Sequence, residues 1–175
     1  MNSLLNFHYL ESLRLEYDNN GKPANIEPIA KFIISQKELK ELTLNYQTKI
    51  EDKEVQVISD AVTSLSKLEV LDLALSDLKN AKEGKQLIHK ILTCLPDLKE
   101  FKLACDNYPN NDKLLADLMR AILGLKKLQG LQLYLTFTSV TERGYEALRE
   151  YMRRLPKLSY LTFSRQTYAD HPTFD

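Results

Sequence analysis

The chain has no glycine-rich phosphate loop, no paired cysteine spacing of the kind that holds zinc and no serine elbow, and it contains only five glycines. These absences leave an enzyme unsupported, and no metal or cofactor is expected. Two cysteines, Cys94 and Cys105, do not make a disulfide framework, which points to a reducing, cytoplasmic setting with Cys105 as a small apolar filler. His8, His89 and His171 are scattered, and His89 reads as a solvated helix residue. Lys plus Arg equals Asp plus Glu at 24 each, so there is no electrostatic footprint for nucleic acid or an acidic membrane. No apolar run approaches the roughly 20 residues that span a bilayer. The segment Met1-Asn2-Ser3-Leu4-Leu5 lacks both parts of a signal peptide, and its initiating Met1 favours a complete chain.

What is present is a repeat. An apolar residue followed at +3 and +5 by two more begins at Leu10, Leu39, Leu68, Leu98, Leu128 and Leu158, at intervals of 29, 29, 30, 30 and 30 residues. The copies run Leu10, Leu13, Leu15; Leu39, Leu42, Leu44; Leu68, Leu71, Leu73; Leu98, Phe101, Leu103; Leu128, Leu131, Leu133; and Leu158, Leu161, Phe163. Constant spacing of this kind marks a solenoid, in which each unit buries its apolar face only against its neighbours. The second and third positions of each copy share one face of a strand of period two, and the first enters the core from the preceding bend.

Between the strands lie segments of helical period. Their apolar positions are Ile29, Ile33 and Ile34; Val55, Ile58, Val62 and Leu65; Leu87, Ile88, Ile91, Leu92 and Leu95; Leu115, Leu118, Ile122 and Leu125; and Leu148, Met152 and Leu155. Asn80 with Glu83, Ser139 with Glu142 and Thr48 with Glu51 have capping-box spacing, and Pro28 suits a first helical turn. Turn-rich stretches follow two strands, at residues 18–21 and 107–111.

With one strand and one helix per unit of about 29 residues, the chain resembles the leucine-rich repeat family, in its ribonuclease-inhibitor-like subclass. The resemblance covers Leu10 to Phe163. It implies an α/β solenoid, with six parallel strands on the concave side of an arc and about five helices on the convex side. Residues 1–175 are then one domain, with repeats starting at about 10, 39, 68, 98 and 128 and a partial one at 158. The family places Asn or Cys eight positions after the first leucine. Asp18, Gln47, Ser76, Asp106, Thr136 and Gln166 stand there instead, which marks these repeats as divergent.

In this architecture the residues between the core leucines project from the inner side, and a partner is expected there. The candidates are Arg14, Glu16, Thr43, Asn45, Asp72, Lys102, Gln132, Tyr134 and Tyr160. Tyr17 and Tyr46 join them from a neighbouring column that also holds Leu75, Cys105 and Leu135. That column either forms an aromatic rim for binding or packs under the loops as a satellite of the core. Leu4, Leu5, Phe7 and Tyr9 at one end, and Tyr168 and Phe174 at the other, suit short caps over the terminal repeats, caps that a neighbouring chain completes. The expected function is a noncatalytic protein-interaction scaffold within a larger intracellular assembly. The alternative is a regulatory module resembling the repeat domains of Ran GTPase activators or the actin-capping tropomodulins.

Overall fold

Strands whose apolar residues all face one side need a layer to cover that side, and each intervening amphipathic helix supplies part of it. The computed structural model describes residues 9–17, 26–49, 52–77, 84–105, 112–135 and 141–164. Its elements run β1 (Ser12–Tyr17), α1 (Glu27–Ser35), β2 (Glu41–Lys49), α2 (Asp52–Thr63), β3 (Val70–Asp77), α3 (Gly84–Cys94), β4 (Glu100–Cys105), α4 (Asp112–Leu123), β5 (Gly130–Leu135), α5 (Glu142–Met152) and β6 (Tyr160–Ser164). The strands form one sheet in sequence order, each parallel to the next.

The register advances by one repeat per strand. Leu13, Leu42, Leu71, Phe101, Leu131 and Leu161 pair in series, and so do Leu15, Leu44, Leu73, Leu103, Leu133 and Phe163. From β2 to β5 these side chains are at most 1 % exposed. The ends are looser, with Leu13 and Leu15 half-buried and Leu161 43 % exposed. A terminal repeat has one neighbour instead of two, so the same leucine buries less there.

A second backbone motif recurs where helix meets strand. The carbonyl of Glu11 accepts the amides of Lys40 and Glu41 at 2.8 and 3.0 Å, and the carbonyl of Lys40 accepts those of Glu69 and Val70. Glu69, Lys99 and Gln129 repeat the arrangement toward the next unit. The first four side chains in this column, Glu11, Lys40, Glu69 and Lys99, alternate in charge. Lys40 binds Glu11 at 2.8 Å and Lys99 binds Glu69 at 2.7 Å. On the other side of each leading leucine, Lys67 pairs with Glu38 and Lys127 with Asp97. Lys40 holds the Glu11 carboxyl below its usual range, chiefly through their hydrogen bond, and is itself raised by it. Exposed pairs of this kind stabilise little, so their main effect is on which repeats sit side by side.

The helices bury the expected faces with two exceptions. On α1, Phe32 is buried outside the main core cluster and Ile34 is 38 % exposed, while Ile26, Ala30 and Ile33 pack into the core. Pro28 sits in its first turn, as expected. Gln36 is fully buried at the position that Leu65, Leu95, Leu125 and Leu155 fill in the later repeats. Its Nε2 donates to Ser35 Oγ at 2.9 Å, and Ser35 Oγ donates to the Phe32 carbonyl.

Helix α5 starts at Thr141, which makes no capping bond of its own. Its amide and hydroxyl instead donate to the Asp112 carboxylate at the head of α4, at 2.8 and 2.6 Å, which lowers the Asp112 pKa. Ser139 and the Asn80–Glu83 pair lie outside the described residues, as do Glu51 and the Thr48 side chain. So do both turn-rich stretches and the side chains eight positions after each leading leucine. Tyr9, expected in an end cap, is 84 % exposed; Leu4, Leu5, Phe7, Tyr168 and Phe174 lie outside the described residues.

The central and terminal leucines are expected to differ in energy. Leu73→Ala loses about 2–5 kcal/mol through transfer and cavity terms, whereas Leu161→Ala loses under about 1.5 kcal/mol because so much of the side chain is already wet. Urea denaturation midpoints check this, and equal losses would show that the last repeat packs as tightly as the third.

Candidate partner-binding face

Parallel sheets are normally covered on both sides, but among the described residues the helices pack on the leucine side alone. The other side presents three rows of side chains at the strand spacing of about 4.8 Å. One row runs Arg14, Thr43, Asp72, Lys102, Gln132 and Thr162, in register from strand to strand. Lys102 Nζ lies 3.0 Å from Asp72 Oδ2 and 5.9 Å from the centre of the Tyr134 ring. The pair is only partly exposed, so its charges hold each other in one place. At the N-terminal end Arg14 donates through Nε and Nη2 to Glu16 Oε1, at 3.0 and 2.8 Å, in the open.

The second row runs Glu16, Asn45, Ala74, Ala104 and Tyr134, and its later members are buried although no helix covers them. The Tyr134 ring lies over Ala104 and Ala74, forming an apolar cluster separate from the main core. Its hydroxyl donates to Gln132 Oε1 at 3.1 Å. Tyr134 and Asn45 therefore belong to the face, but mostly as its floor.

The third row runs Ser12, Glu41, Val70, Glu100, Gly130 and Tyr160. Tyr160 is 40 % exposed, and its hydroxyl reaches across β5 to donate to Glu100 Oε2 at 3.0 Å. Gly130 makes that crossing possible, since a Cβ there would stand 2.2 Å from the Tyr160 Cζ. Between the first and third rows lies a depression of about 270 Å³. Its lining includes Arg14, Thr43, Asn45, Val70, Asp72, Glu100, Lys102, Gln132 and Tyr160.

Tyr17 and Tyr46 lie elsewhere. They stack on each other, with ring centres 5.3 Å apart and planes 11° from parallel. Tyr46 is 0 % exposed, and its hydroxyl donates to Glu54 Oε1 on α2 at 2.7 Å. Leu75 and Cys105 of the same column are buried too, and Tyr17 is half-buried against the core. The column is a flank of the core, and Tyr46 leaves the binding face; the Leu135 side chain is outside the described residues. Cys94 is exposed at the end of α3, and His89 is exposed on it.

The open face thus gathers Arg14, Glu16, Thr43, Asn45, Asp72, Lys102, Gln132, Tyr134 and Tyr160. The sequence places the small residues Ala74, Ala104 and Gly130 on the same face, but what it did not reveal is that the two tyrosines lean over them. A glycine inside a strand signals close approach by another group, and Gly130 carried that signal.

Burial raises the Tyr160 pKa above the usual tyrosine range, reinforced by the hydrogen bond and charge of Glu100 and opposed by a hydrogen bond with Gln132. Because the folded value is raised, the contact stabilises the fold below the ordinary tyrosine range, and that contribution is lost as pH rises through the raised value. Tyrosinate absorbance titrations of wild type and Tyr160→Phe are expected to differ by one step above the ordinary range. A missing step within that range would contradict the contact.

No protein-family model matches the chain, and no curated protein sequence matches it. Among solved structures it is similar to the tropomodulin C-terminal domain from Caenorhabditis elegans, with a TM-score of 0.53 and 18 % identity over 87 % of this chain and 89 % of that one. It is also similar to a protein from Bacteroides fragilis, with a TM-score of 0.51 and 20 % identity over 91 % of this chain. That match covers 43 % of the Bacteroides chain, so the present chain spans less than half of it. At these identities the likeness is one of fold, that of a leucine-rich-repeat-type α/β solenoid.

Proposed function

We propose that this protein is a noncatalytic interaction scaffold that receives a protein partner on the open face of its sheet. The observation that carries the reading is the state of that face. It is a sheet surface left uncovered by its own helices, with Lys102, Asp72, Gln132, Tyr134, Glu100 and Tyr160 already fixed by contacts with one another. Side chains held in place before binding lose little rotamer freedom on association, which favours affinity. The mixed charge of the row suits a protein surface rather than nucleic acid or membrane. Among the described residues no group of His, Cys, Asp and Glu has the arrangement to hold a metal ion.

Its place is a larger cytoplasmic assembly, a reading supported by the partly exposed terminal leucines Leu13, Leu15 and Leu161. The units of 29 or 30 residues, with helices of 9 to 12, support assignment to the ribonuclease-inhibitor-like subclass. A second reading, a regulatory repeat module, draws on the likeness to the tropomodulin C-terminal domain. Assays of actin elongation and of Ran GTP hydrolysis separate it from the first.

The test is affinity purification at native abundance, with variants on each side of the sheet. Thr43→Arg and Gln132→Arg, on the open face, are expected to weaken a stoichiometric companion at least about tenfold. Lys31→Glu and Arg149→Glu, on exposed helix positions, are expected to leave it bound. A companion that ignores the open-face changes, or a purified chain that stays a stable monomer without one, would sink the proposal.

A further inference from the structure

In a solenoid each repeat touches its immediate neighbours and no others. The ion pairs between repeats follow that rule: Lys40 with Glu11, Lys90 with Asp60, Lys99 with Glu69 and Lys102 with Asp72 join residues 29 or 30 apart. Tyr160 and Glu100 are 60 apart. Their hydrogen bond passes over β5 and links the sixth strand directly to the fourth.

The crossing depends on one missing atom. The other described members of that row before Tyr160, which are Ser12, Glu41, Val70 and Glu100, all carry a Cβ, and such an atom at Gly130 would fall 2.2 Å from Cζ and Oη of the ring. No left-handed φ requires glycine at this position, so the seat for the ring is the physical reason for it. Among the described residues β6 is the last strand of the sheet, bonded to β5, and its Leu161 is 43 % exposed. An edge strand with so little burial opens more readily than the strands inside the sheet.

We propose that Tyr160 is a two-position strap, seated on Gly130 and latched to Glu100, that fastens β6 to β4 when closed and frees the terminal repeat when it swings out. Its hydroxyl contacts with Glu100 and Gln132 and one ring face hold it, so opening is a local event that leaves β1 to β4 in place. In the closed position the ring walls one end of the concave depression. In the open position the Glu100 carboxylate and the bare Gly130 backbone are uncovered. The strap therefore sets both the order of the last repeat and the length of the depression, whichever partner the face receives.

Native-state hydrogen exchange on the full chain tests this, with NMR contacts as the second measurement. In wild type, the Tyr160 ring protons are expected to show contacts to the Gly130 α-protons. Tyr160→Phe, which keeps the ring and loses the donor, and Gly130→Ala, which evicts the ring, are each expected to speed exchange of the 160–164 amides by roughly 2- to 10-fold. Amides of β1 to β3 keep their wild-type rates. Glu100→Gln keeps an acceptor oxygen and is expected to have the smaller effect. Absence of the ring contact, β6 exchange at wild-type rate in Tyr160→Phe, or acceleration spread evenly over every strand would each overturn the proposal, and Tyr160→Phe decides the matter if Gly130→Ala fails to fold.

Discussion

Every other feature of the molecule depends on the register that places each strand one repeat beyond the last. The leucine columns set it from the core side, because a slip of one residue would turn Leu42 and Leu44 to water and bring Thr43 inward. The backbone sets it from the bends, where one carbonyl per repeat takes two amides of the next unit. The two constraints agree, and their agreement lines up the exposed residues into rows as surely as the buried ones. The candidate face is therefore a by-product of core packing.

On that face the side chains lean. Tyr134 covers Ala104 and Ala74, and Tyr160 covers Gly130, each reaching back toward the N-terminal end of the sheet. Large residues over small ones give a layer of packing on the side that lacks helices, which offsets part of the cost of leaving parallel strands uncovered. The polar groups use the same layer. Gln132 accepts from Tyr134, Glu100 accepts from Tyr160, and Lys102 sits between Asp72 and the Tyr134 ring.

The fold was legible because its period is written in eighteen template positions, and because strand alternation and helical period occupy different parts of each unit. The face was legible in outline for the same reason. Tyr46 was misplaced although alternation held the answer: it shares parity with Leu42 and Leu44, which carries it inward to Glu54. Ile34 was misplaced because a three-residue apolar pattern does not fix the rotation of α1, and Ala30 with Ile33 takes the core side instead. Gln36 stands where periodicity demands leucine, and pattern alone does not show that Ser35 receives its amide. The reach of Tyr160 to Glu100 is tertiary, spanning 60 residues, and the sequence marks it only by the glycine beneath.

The charges beside the leading leucines repeat differently from the leucines themselves. Glu11, Lys40, Glu69 and Lys99 alternate, so they return to the same sign after two units, whereas the apolar core returns after one. Hydrophobic packing alone does not distinguish a correct stack from one in which a unit has been looped out. The acids and bases do, because skipping one unit sets Glu11 against Glu69 or Lys40 against Lys99, while skipping two restores attraction. Across its first four units the column thus carries a weak parity check on assembly, in which skipping one unit sets like charges together and skipping two does not.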